Sequence, residues 1–239
     1  MNILSIGNSF SQDAQRYLVR LAGPEAKITA VNLYIGGCSL ERHFRNMMGD
    51  SRDYDMEFNG MHTGFKTSIK EALLTRAWDV VTLQQCSPRS PYFDSYEPYL
   101  QLLAAEVRRL CPGAKLWIHE TWGYEDGSTR LQDMGRYASM KEMYADVHLA
   151  YQKAAEAIHA DGIIPAGRGM QALADMGFRA HRDGFHANYD YGRYMLGLVW
   201  YHALLGGDIA ANTFDQLDHP VTAEELAAAK AAAAAAFAD

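Results

Sequence analysis

Five short apolar runs, separated by segments of helical spacing, restrict this chain to a parallel sheet covered on both faces. Residues 3–6, 28–35, 80–83, 116–119 and 162–164 read as strands without polar alternation, as strands buried on both sides do. Between and after them the apolar spacing predicts helices over 15–21, 96–110, 139–159, 169–176 and 189–205. Strand–helix alternation of this kind gives an α/β domain with, here, five parallel strands. A length of 239 residues suits one domain spanning 1–239, and an apolar fraction of 49% supplies its core. Residues 41–48 read as a further helix, but 49–65 mix Asp, Gly, Asn and aromatics with no period. A loop of that length after the second strand is expected to wall the ligand side of the sheet.

Composition narrows the function classes. The formal charge of −7 argues against a nucleic-acid partner, which would call for clustered basic residues facing phosphates. Cys38, Cys86 and Cys111 are odd in number and lack ligand spacing, so three reduced thiols are expected. No run reaches the roughly 18 apolar residues of a membrane span. The chain opens with neither a basic segment nor an apolar leader, so a cytoplasmic location is expected unless a signal was removed. The alanine-rich stretch at 222–238, interrupted by Lys230, reads as a surface helix of high intrinsic propensity.

The chemistry gathers at two distant places. The first strand breaks at Gly7-Asn8 and leaves Ser9 at its end, just before a helix whose first amides are free. Asp183-Gly184-Phe185-His186 precedes the last long apolar helix. Together they supply a nucleophile, a base and an orienting carboxylate in the order Ser, Asp, His. A serine hydroxyl is protonated at neutral pH and needs a base within hydrogen-bond reach. Three residues apart on a tight turn, Asp183 and His186 can meet through Nδ1, leaving Nε2 for Ser9.

Each residue also has a plainer reading. Asn8, Ser9 or Ser11 could cap the following helix, and Asp183-Gly184 could simply turn the chain. His181-x-Asp183-x-x-His186 also offers three potential zinc or manganese ligands. Donors for a developing oxyanion are expected from the amides of Ser9 and of Gly36 or Gly37, and from the side chain of Gln85. Gln84 points to the opposite face from Gln85 and is placed with the substrate-binding residues. Trp122 and Tyr124, after the fourth strand, are the first candidates for stacking on a substrate; Tyr92, Phe93 and Tyr96 come next. Trp200, spaced with Leu196 and Leu204, reads as core.

Taken together, these segments resemble the SGNH (GDSL-type) hydrolase superfamily, in particular its bacterial SGNH-like branch with a Gly-Asn-Ser-Phe-Ser nucleophile block. The matching pieces are Ile6-Gly7-Asn8-Ser9-Phe10-Ser11, Tyr34-Ile35-Gly36-Gly37-Cys38-Ser39-Leu40, Trp78-Asp79-Val80-Val81-Thr82-Leu83-Gln84-Gln85 and Asp183-Gly184-Phe185-His186, in the family's order. The resemblance implies a flavodoxin-like three-layer α/β/α fold and ester hydrolysis through an acyl-serine, with Ser9, Asp183 and His186 as the triad. It implies no metal or organic cofactor, and a substrate that is a small-molecule or oligosaccharide ester, since many relatives remove acetyl groups from carbohydrates. Two departures stand out. Gly-Asn-Ser-Phe replaces Gly-Asp-Ser-Leu, and Gln84-Gln85-Cys86-Ser87-Pro88 stands where Gly-x-Asn-Asp is usual. Gln85 is expected to replace that asparagine. Without a third donor the alternative is a weak or inactive carbohydrate-binding protein on the same scaffold.

Overall fold

The computed structural model describes residues 1–238. Its centre is a mixed sheet of seven strands: β1 (Asn2–Gly7), β2 (Thr29–Tyr34), β3 (Tyr54–Phe58), β4 (Met61–Thr67), β5 (Val80–Leu83), β6 (Lys115–His119) and β7 (Gly162–Ile164). The spatial order is β4-β3-β2-β1-β5-β6-β7. The five expected strands are all present and run parallel as β2-β1-β5-β6-β7. Chain order reverses between β1 and β5, and in open parallel sheets ligands settle at the carboxyl ends of the strands beside such a reversal.

The expectation of a five-stranded sheet is corrected by β3 and β4, which extend it antiparallel beyond β2. They arise from the segment read as an aperiodic loop. Asn59-Gly60 makes the tight turn between them, with φ of 52° and 78°. An Asn-Gly pair between strand-like runs is a strong hairpin signal. It was masked because β4 is almost wholly exposed and a bulge lies between Asp55 and Glu57, so neither strand shows clean alternation.

Successive strand residues point to opposite layers. Ile3, Ala30, Val80 and Ile164 face a core shared with α1 (Ser9–Gln15), α2 (Leu18–Ala22), α8 (Ala166–Asp175) and α9 (Tyr191–Leu205). Leu4, Val31, Val81 and Leu116 face α3 (Leu40–Met48), α4 (Ile69–Leu74), α5 (Tyr99–Leu110) and α7 (Met140–Ala157) on the other side. The helix expected over 15–21 is two helices, the first beginning at Ser9. α4 and the short α6 (Thr129–Asp133) add to those read from sequence.

The alanine-rich segment forms α10 (Ala223–Ala235), capped by Thr222 with Glu225. It is more than a surface helix. Ala228, Ala229, Ala232 and Ala233 are buried on α8 and α9, where a small side chain at every contact lets the helices approach closely. Trp200 is fully buried, as its spacing indicates. Among the described residues no helix is long and apolar enough to cross a membrane.

Candidate active site

Asn8, not Ser9, caps α1: its side-chain oxygen accepts from the Phe10 amide at 3.0 Å, and Ser11 reciprocates by accepting from the Asn8 amide. The Ser9 hydroxyl is therefore available, and it meets His186 Nε2 at 2.9 Å. His186 Nδ1 lies 2.8 Å from Asp183 Oδ2, while Asp183 Oδ1 accepts from the His186 amide at 2.9 Å. The chain of contacts from hydroxyl to imidazole to carboxylate is continuous. Burial raises the Asp183 pKa, but hydrogen bonds from His186 and from backbone amides outweigh it and hold the carboxyl below its ordinary value. Asp183 is thus ionised at neutral pH and fixes the ring with Nδ1–H towards itself and Nε2 towards Ser9.

The loop carrying Asp183 and His186 is pinned from several sides. Arg182 N donates to His186 O at 3.0 Å across a bridge between His181 and Ala187. Glu125 N donates to Gly184 O at 2.8 Å and Trp122 Nε1 to Phe185 O at 2.7 Å. Gly184 has φ of +92°, and a Cβ there would come within 2.9 Å of Ser128 Cβ, so only glycine fits this turn.

A fully buried carboxylate that the sequence reading left without a role ties the two halves together. Asp13, one turn after Ser9, receives Arg182 Nη1 at 2.8 Å and the Arg193 guanidinium at 2.7 Å. Arg182 adjoins Asp183 in the chain and Arg193 lies on α9. The partners are 169 and 180 residues away in sequence, so no local pattern announces them.

Several expected roles are corrected. The Gln85 side chain is fully buried and wholly engaged: Oε1 accepts from the amides of Leu40 and Cys86, and Nε2 donates to Ser95. It holds loops together and presents no donor to Ser9. Gln84 is also buried; Nε2 donates to Asn8 Oδ1 at 2.7 Å and Oε1 meets His119 Nδ1 at 2.7 Å. It orients Asn8 rather than a substrate. Trp122 is fully buried, stacked on Phe10 at 4.0 Å between centroids, and cannot stack on a ligand. Its role is to support Phe10, whose ring lies edge-on to His186. His181 turns inward and contacts Gly123 O through Nε2 at 3.0 Å, so the three residues of the metal reading do not converge.

Other expectations meet in one cleft. Ser9, Gly36, Gly37, Tyr124 and His186 all line a cavity of about 320 Å³ at the carboxyl end of β1. Gly36 and Gly37 turn the chain after β2, with Gly37 at φ +62°. The amides of Ser9, Gly36 and Gly37 have no acceptor among the described residues. Tyr124 OH donates to Ser87 Oγ at 2.9 Å, which leaves the Ser87 hydroxyl proton without an acceptor at the cleft wall. Ser87 and Arg130 are lining residues to which the sequence reading gave no role.

The layered sheet is similar in fold to solved structures described as SGNH-type hydrolases and acetyl xylan esterases. The acetylxylan esterase of Geobacillus stearothermophilus is similar at a TM-score of 0.53, with 16% identity over 86% of this chain and 92% of its own. A protein of Slackia heliotrinireducens, provisionally described as an SGNH hydrolase, is similar at 0.61, with 22% identity over 84% of this chain and 97% of its own. At these identities the likeness is one of fold. Residues 2–236 match the family of a domain of unknown function, DUF4886, and the chain belongs to that family. A DUF4886 protein of Bacteroides uniformis is 31% identical over 98% of this chain and 93% of its own, at a TM-score of 0.91. No curated protein matches the chain.

Proposed function

We propose that this protein is a serine esterase acting on small acyl esters, foremost O-acetyl groups on carbohydrates. The observation that carries the reading is the unbroken contact from Ser9 Oγ to His186 and on to Asp183 at a cleft of small volume. The likeness in fold to an acetylxylan esterase supports an acetyl ester of a carbohydrate, without specifying which sugar.

Ser9 Oγ attacks the ester carbonyl carbon as its proton passes to His186 Nε2. The amides of Ser9 and of Gly36 or Gly37 receive the oxyanion. The tetrahedral intermediate collapses, the C–O bond to the alcohol breaks, and the leaving alkoxide takes the proton from His186. Water, giving a proton to the same nitrogen, attacks the acyl-serine; the ester C–O bond breaks, the acid leaves and Ser9 Oγ takes the proton back from His186.

With Gln85 engaged elsewhere, the free proton of Ser87 is the third donor in this reading. Tyr124, donating to the Ser87 oxygen, polarises that hydroxyl towards the cleft. Ser87→Ala is expected to lower kcat by roughly 10–10²-fold with little change in KM, because an oxyanion donor acts mainly in the transition state. Steady-state kinetics on 4-nitrophenyl acetate checks this; an unchanged kcat removes Ser87 from the mechanism.

The reading itself is tested by covalent labelling. Diisopropyl fluorophosphate is expected to add once per chain, at Ser9 by peptide mass spectrometry, and not to add to the His186→Ala variant. A wild-type protein left unlabelled at Ser9, with no turnover of acetyl esters, would leave a carbohydrate-binding role on this scaffold.

A further inference from the structure

Among the residues lining the cleft, Arg130 alone carries a fixed charge. It belongs to α6, whose cap Ser128 abuts Gly184 of the loop that bears His186. Its guanidinium carbon lies 4.5 Å from the centroid of the Phe185 ring, which in turn lies 3.8 Å from the imidazole of His186. Arg130 and the His186 imidazole therefore pack against the same ring.

Arg130 differs from its neighbours in having no counter-charge. Arg179 pairs with Glu125, and Arg182 and Arg193 share Asp13. Among the described residues no carboxylate pairs with Arg130. In a chain of net charge −7 this is an exposed cation left facing a cleft whose other lining groups are neutral or apolar, the titratable His186 aside. Contact with an aromatic face fixes the guanidinium in place while leaving its N–H edge open. Such an edge matches the paired oxygens of an oxyanion.

We infer that the alcohol part of the substrate is an anionic sugar, carboxylated or sulfated, whose anionic group pairs with Arg130 while the acyl group lies against Ser9. This rests on the esterase reading above and specifies its substrate. The Phe185 ring beside Arg130 supplies an apolar part of the cleft wall, while Tyr124, buried at 2% exposure, backs it from behind. The rest of the protein repels anions, so recognition through one arginine is local and sensitive to salt.

The test compares acetylated oligogalacturonate with acetylated xylo-oligosaccharide, and with an acetylated sulfated galactan, in the wild type, Arg130→Gln and Arg130→Glu. The wild type is expected to favour an anionic sugar by about tenfold or more in kcat/KM, the worth of one charge-assisted pair. That ratio is expected to fall towards one in Arg130→Gln and to invert in Arg130→Glu, chiefly through KM. Raising salt is expected to erode both the wild-type preference and its inversion in Arg130→Glu, and to leave the Arg130→Gln ratio near one. Preference for the carboxylated or the sulfated sugar, lost on substitution, supports the inference and identifies the anion. A ratio that Arg130→Gln leaves unchanged overturns it while the esterase reading stands. Absence of turnover of every ester by folded wild type, 4-nitrophenyl acetate included, overturns both.

Discussion

Ser9→Ala is expected to lower the turnover of 4-nitrophenyl acetate by roughly 10⁴–10⁶-fold, leaving only the hydrolysis that cleft donors and binding sustain. The fold is expected to survive, because Asn8 caps α1 and the Ser9 hydroxyl contacts only His186. Circular dichroism and thermal melting alongside the kinetics check that point. His186→Ala is expected to cost about as much, and the double variant no more than either, since nucleophile and base work as a unit. Residual activity above a tenth of the wild-type rate in a folded Ser9→Ala protein would rule out an acyl-serine route. Additive losses in the double variant would mean the two side chains act in separate steps.

Asp13→Ala is expected to destabilise the protein by about 3–5 kcal/mol, the usual consequence of leaving buried cations without their counter-charge. Both guanidiniums it receives are largely buried, at 15% and 13% side-chain exposure, so solvent can compensate little. For a chain of this length the melting temperature is expected to fall by roughly 6–20 °C. The effect extends to chemistry. Arg182 precedes Asp183, so loosening it lets the His186 loop drift from Ser9, and small displacements of that kind cost up to about 10²-fold in rate. Urea unfolding combined with kcat measured below the transition separates the two consequences. Asp13→Asn keeps the shape without the charge and is expected to fall between wild type and Asp13→Ala. If kcat per folded molecule is unchanged in both, Asp13 supports the fold without positioning the histidine.

The parallel strands and both ends of the proposed triad were legible in the chain because each is written locally. Unbroken apolar runs mark strands covered on both faces, and Gly7-Asn8-Ser9 or Asp183-Gly184-Phe185-His186 compress a turn and its chemistry into a few residues. The hairpin was not legible to a search for periodicity, since β4 is exposed along nearly its whole length and a bulge interrupts β3; only Asn59-Gly60 marked it. The roles of Gln84 and Gln85 failed for another reason. Both follow a strand that ends at the ligand rim, and their residue type suits an oxyanion donor as well as a loop clamp. Their hydrogen-bond partners, Asn8, His119, Leu40 and Ser95, come from separate segments.

By itself, then, the sequence determined the layered architecture and singled out Ser9, Asp183 and His186 as the residues of the proposed triad, because these depend on short-range spacing and on residue chemistry alone. Tertiary structure decided which donors face the cleft, that Trp122 supports Phe10 instead of meeting a ligand, that Asp13 joins α1 to α9, and that Arg130 is left without a partner. These outcomes depend on burial and on contacts between distant segments. A polar side chain becomes a clamp or a ligand group according to what the fold sets opposite it.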